Sequence, residues 1–144
     1  MTRSTFRILL AIFLIAHGLV TMSLATVPVP AAGTLRTPYF PAWWRVDVDS
    51  AWPVSRLWLK PSVVRTAGWV LWLAALILFA AVGMGLLGLS GLSGLWQPLA
   101  VIAAVLSLFL LLLYWHPWLV LGVLLNVGIL AGVYAGWFTR WFNR

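Results

Sequence analysis

His17, Ser107 and Asn126 are polar side chains set deep inside long apolar stretches of this 144-residue chain. An imidazole, a hydroxyl and an amide can hydrogen-bond one another, and an imidazole can also ligate a metal. Each is costly in hydrocarbon when alone, so the three are expected to face one another. One reading of such a cluster is interhelical glue. A second makes His17 an axial ligand for haem or a chlorophyll-type pigment, or a contact to a quinone. A third is proton or small-solute handling, which normally draws on a carboxylate. A second midplane histidine, which haem or pigment ligation would want, is missing. The other histidine, His116, sits at a turn between Trp115 and Trp118 and reads as interfacial and solvated.

Little else in the chain could do chemistry. Its only acids, Asp47 and Asp49, are two residues apart, which leaves no material for paired-carboxylate catalysis. It has no cysteine, which removes disulfides, thiolate metal sites and iron–sulfur ligation. No nucleophile has a base beside it, so no catalytic residue and no metal site are assigned, and the chain does not read as an enzyme. A net charge of +7 could suggest nucleic acid. The nine basic residues are scattered, however, and mostly flank apolar segments, where a membrane protein needs them.

The elements that would hold the three polar groups follow from hydropathy. Hydrophobic residues make up 64% of the chain and charged residues 8%, against about 45–50% and about 25% in soluble domains. Mean hydropathy is +1.06. So few charges cannot coat a water-soluble surface, and an integral membrane protein follows. A spanning helix needs about 20 mostly apolar residues. Four segments qualify, at about 6–26, 66–89, 97–115 and 118–138; Arg7, at the leading edge of the first, is their only charged residue. The sequence therefore predicts one all-α membrane domain over 1–144, an antiparallel bundle of four transmembrane helices. At 1.5 Å per residue, His17, Ser107 and Asn126 lie roughly 16, 15 and 18 Å from one membrane face. All three fall near the midplane of a ~30 Å hydrocarbon core.

The connection 27–65 differs from the rest. It holds six of the eight prolines, five of the nine basic residues and both acids. The run Tyr39-Phe-Pro-Ala-Trp-Trp44 is too apolar for a loose linker, so this long Trp/Pro-rich loop is expected to lie ordered on the membrane surface. A short amphipathic helix near Ser50–Leu59 is expected within it; Val46-Asp-Val-Asp49 alternates like a strand but is short. The 11 tryptophans fall in this loop or near predicted helix ends. Indole rings favour the headgroup level, so Trp43, Trp44, Trp115, Trp118 and Trp137 read as interfacial anchors; cofactor stacking is the alternative.

Small residues mark packing faces. Gly128, Gly132 and Gly136 form a G-x-x-x-G-x-x-x-G ladder on the fourth segment, with Gly128 about 160° from Asn126 around the helix. Gly122 shares the Asn126 face. One side would close the bundle, and the other would meet another helix or a partner subunit. Ala74, Ala81, Gly85 and Gly88 give the second segment a similar stripe. Arg3, Arg7, Arg140 and Arg144 flank the outer ends of the first and last segments, against Arg36, Arg45, Arg56, Lys60 and Arg65 in the loop. The first helix with its basic leader usually decides orientation, which puts both termini in the cytoplasm and the loop outside, in the periplasm. The start also resembles a secretory signal ending at Ser23-Leu-Ala25, whose cleavage would leave three spans. The apolar run is long for a signal, so residues 1–25 are expected to remain.

Arg7-Ile-Leu-Leu-Ala-Ile-Phe-Leu-Ile-Ala-His-Gly18 resembles the first helix of DoxX-like proteins and related small four-helix membrane proteins of bacteria, in which an arginine-led helix carries a His-Gly pair. Gly68-Trp-Val-Leu-Trp-Leu-Ala-Ala75, Ala103-Ala-Val-Leu-Ser107 and Leu125-Asn-Val-Gly-Ile-Leu130 resemble the following three. The resemblance spans most of the chain outside the long loop. It implies a four-helix protein of the bacterial inner membrane, in a group mostly without assigned reactions. The expected role is a non-catalytic accessory subunit of a larger membrane complex, of the respiratory or photosynthetic electron-transfer kind, with lipids and other membrane subunits as partners. The alternatives are a haem-, pigment- or quinone-binding protein using His17 and a small-solute transporter.

Overall fold

The computed structural model describes residues 2–23, 59–115, 119–138 and 140. Four helices carry them: α1 (Arg3–Ser23), α2 (Pro61–Leu86), α3 (Trp96–Leu113) and α4 (Val120–Tyr134). No strand occurs among the described residues. Three stretches are long and apolar enough to cross a membrane, namely Arg3–Ser23, Thr66–Leu86 and Trp96–Leu113. The fourth helix is equally apolar but has 15 residues, about 22 Å of length.

The helix ends differ from the hydropathy boundaries because capping chemistry sets them. α1 begins three residues before Phe6. The Thr2 hydroxyl accepts the Thr5 N–H at 3.3 Å, an N-cap that holds the polar first turn in the helix. α2 begins at Pro61, so residues 61–65 are helical and not part of the loop. Proline suits the first helical position, and Lys60 before it is extended (ψ 133°). α2 closes in a Schellman turn: Gly88 takes φ 90°, its N–H reaches the Gly85 carbonyl at 3.1 Å, and the Leu89 N–H reaches that of Met84 at 3.1 Å.

α4 ends four residues before the predicted Phe138. Gly136 adopts φ 64° and donates its N–H to the Val133 carbonyl at 3.0 Å. Helices commonly stop at such a left-handed glycine. The Arg140 side chain, a cation at the negative helix end, then bonds the Ala135 and Gly136 carbonyls. The second of these also accepts the Arg140 backbone N–H at 3.0 Å.

α1 packs on α2, α2 on α3, and α3 on α4. Glycines set the approach. A Cβ at Gly18 would lie 2.8 Å from Phe79 Cβ, and one at Gly83 would lie 2.6 Å from the Ile15 side chain. One apolar cluster joins Trp72, Ala75, Leu110, Leu111, Tyr114 and Leu119. Another draws on all four helices through Ala11, Leu14, Phe79, Val82, Ala100, Ala103, Ala104 and Ile129. Trp72 and Trp96 are buried in these clusters. The Trp72 ring centroid is 5.9 Å from that of Tyr114, and the Trp96 centroid is 6.3 Å from that of Phe138.

Candidate functional site

The side chains of α1, α3 and α4 meet at Asn126, which is fully buried. Its Nδ2 donates to Ser107 Oγ at 3.0 Å and to the Gly122 carbonyl, one turn back on α4, at 2.8 Å. Its Oδ1 stands 3.3 Å from His17 Nε2. With Oδ1 as the acceptor, His17 donates from Nε2, and Nδ1 is its unprotonated nitrogen. The amide uses both N–H bonds and its oxygen on three partners, so the desolvation that makes a buried amide costly is offset at each polar atom.

Local sequence explains how three helices come close enough for this. Gly18, beside His17, lets α1 sink onto Phe79 and Leu76 of α2. Gly122, one turn before Asn126, meets Leu111 of α3, whose Cδ1 would lie 3.0 Å from an added Cβ. His17 and Asn126 thus each have a glycine near them, which brings backbones together where the hydrogen bonds must reach.

The imidazole is also held by rings. Phe79 meets it edge-on with centroids 4.9 Å apart, and Phe13, one turn back on α1, stacks at 6.1 Å and 10°. His17 is 8% exposed. Thr21, one turn further along α1, is buried too. Sequence reasoning passed over Phe13, Phe79 and Thr21. Phe13 and Thr21 carried a signal in their four-residue spacing from His17; Phe79, on another helix, carried none.

The glycine ladder does not form one packing face. Nothing lies within 4 Å of a Cβ placed on Gly128. Gly132 is covered by the Phe138 ring of its own chain, 2.5 Å from an added Cβ. Gly136 is outside the helix, at the turn. The break in the helix at Gly136 places Phe138 over Gly132. Trp115 and Trp137 are about half exposed. Trp43, Trp44, Trp118, His116, both acids and the 50–59 helix, apart from Leu59, lie outside the described residues.

Among the described residues, no group of three or more His, Cys, Asp or Glu side chains could hold a metal. Comparison of the chain with family models, curated proteins and solved structures finds no match.

Proposed function

We propose that this chain is a four-span protein of the bacterial inner membrane, an antiparallel bundle of the DoxX-like type, that serves as a non-catalytic accessory subunit of a larger membrane complex. The successive contacts support the topology: Gly18 with Phe79 then Gly83 with Ile15, Gly68 with Tyr114 then Gly85 with Trp96, and Gly122 with Leu111 then Asn126 with Ser107. Each pair of neighbouring helices meets in opposite chain order. The fourth crossing would be completed by Leu119 and the turn through Trp137. Both termini are assigned to the cytoplasm and the 27–58 loop to the periplasm.

The observation that carries the role is the state of Asn126. Its polar atoms are committed to Ser107, Gly122 and His17, so the most polar part of the bundle interior is occupied in holding helices together. Meanwhile Leu121, Leu124, Val127 and Gly128 turn an apolar, partly toothless face outward on α4. An electron-transfer complex is the host we favour. Isolation in mild detergent followed by mass spectrometry tests the reading: other membrane subunits should accompany the chain. A chain that runs alone and crosslinks to no other protein would overturn it.

Haem, pigment or quinone binding at His17 is the second reading. It would require Nε2 to leave Asn126, or a ligand to reach Nδ1 between Phe13 and Phe79. A visible absorption band lost on His17→Ala would establish it in place of the first.

A further inference from the structure

Residues 87–95, which join α2 to α3, close on themselves. The N–H groups of Leu87, Gly88 and Leu89 reach the carbonyls of Gly83, Gly85 and Met84; those of Leu92 and Ser93 reach Leu89, and that of Leu95 reaches Leu92, all at 3.0–3.2 Å. Gly88 and Gly91 allow this winding at φ 90° and 89°. The turn also lies down on α2, since a Cβ added at Gly85 would be 2.7 Å from the Leu92 carbonyl oxygen.

A connection in water needs neither property, because water satisfies a free backbone. Hydrocarbon does not, so a segment that meets lipid must bond its own backbone. The side chains agree. Leu87, Leu89 and Leu95 are 55%, 50% and 51% exposed, and no Asp, Glu, Lys or Arg occurs in residues 66–139. In water the turn would hold three half-bare leucines with no charge beside them. Ser90, Gly91 and Gly94 limit the depth. They are exposed, and their N–H groups bond no other described residue, so they need headgroup or water partners.

We propose that the 87–95 turn is immersed in the bilayer interface. Its leucines lie among the upper acyl chains, and its serines and free N–H groups meet the glycerol and headgroup oxygens of phospholipid. This rests on the membrane-crossing reading of α2 and α3 given above. The cations of this end agree with that depth. Gly83 lies against the Ala11 carbonyl, so Arg7, one turn before Ala11, is level with the start of the connection, and Arg3 is a further turn out. Phe138 reaches Trp96, which brings Arg140 to the same end. Cations flanking a spanning helix settle at the headgroups, and the turn lies no further out than they do.

The chain has no cysteine, so single thiols can be introduced without background. The full chain carrying Thr2→Cys, Ile77→Cys, Leu89→Cys or Leu95→Cys is reconstituted in phosphatidylcholine–phosphatidylglycerol vesicles, made leaky by a pore-forming peptide and treated with a charged maleimide. The reagent attacks the thiolate, which forms in water. Thr2→Cys, exposed before the first turn of α1, should label fully. Leu89→Cys and Leu95→Cys should lose that labelling. So should Ile77→Cys, which is exposed midway along the membrane-crossing part of α2. Independently, a bimane attached at 89 or 95 before reconstitution should be quenched by a phospholipid bearing a nitroxide high on its acyl chain, and not by iodide. Labelling at 89 and 95 as fast as at 2, with 77 still protected, would overturn the immersed turn and leave the membrane-crossing reading standing. Labelling at 77 as well would overturn both. Protection at 89 and 95 without quenching by the lipid nitroxide would mean that protein covers the turn, and would also overturn the proposal.

Discussion

The His17 imidazole stands edge-on to Phe79, ring centroids 4.9 Å apart and planes at 81°, while its Nε2 reaches Asn126 Oδ1. Three helices thereby determine one side chain: α1 carries it, α2 orients it and α4 accepts its hydrogen bond. A ring held this way has little rotational freedom left to lose, so its hydrogen bond is made at small entropic cost.

Replacing the donor should expose that arrangement. His17→Phe keeps the ring contact with Phe79 and leaves Asn126 Oδ1 without its partner. The bundle should lose about 1–2 kcal/mol, measured by titrating a denaturing detergent into protein held in a mild one. His17→Gln, which can still donate, should recover part of the loss. A variant as stable as wild type would mean that the 3.3 Å contact contributes nothing.

Asn126 should matter more than either partner. Asn126→Leu removes three hydrogen bonds and strands the His17 donor, whereas Ser107→Ala removes one. We expect Asn126→Leu to cost at least twice as much as Ser107→Ala in the same assay. A double-mutant cycle between positions 107 and 126 should return a coupling of about 0.6 kcal/mol, and not above about 1.7 kcal/mol. Additive single variants would show that the two side chains are not coupled.

The shared level of these residues was legible because helical rise is constant. Moving α1 by three residues shifts His17 by under one turn, and its level with Ser107 and Asn126 survives. Helix ends were less legible, since Thr2 and Pro61 act through capping, to which hydropathy is blind. Gly136 was misread for a different reason. A glycine that allows close packing and one that allows φ 64° look identical in sequence, and only the placement of Phe138 separates them.

Glycines of equal sequence appearance should behave oppositely. Gly18→Ala forces a Cβ to within 2.8 Å of Phe79 Cβ, a backbone-proximal atom that cannot swing away. The α1–α2 contact must open, at about 1–3 kcal/mol. Gly128→Ala meets nothing within 4 Å and gains up to about 1 kcal/mol of helix propensity. If α4 packs on a partner subunit as proposed, Gly128→Leu should leave the isolated bundle as stable as wild type yet lower the yield of co-isolated subunits. Unchanged co-isolation would place the partner on another face.

The turn after α4 offers a separable pair of effects. Gly136→Ala places a side chain at φ 64°, which should cost about 1 kcal/mol, and Gly136→Asn should cost less because asparagine tolerates that conformation. Gly132→Ala acts on packing instead. Its Cβ would meet the far edge of the Phe138 ring at 2.5 Å, and displacing that ring also disturbs the Trp96 contact 6.3 Å away. Phe138→Ala should therefore rescue Gly132→Ala but leave Gly136→Ala no better, because removing a ring does nothing for a strained backbone. Detergent-titration midpoints of the two double variants decide this. Rescue of both, or of neither, would mean that Gly132 and Gly136 do not act through the separate causes of ring contact and backbone angle.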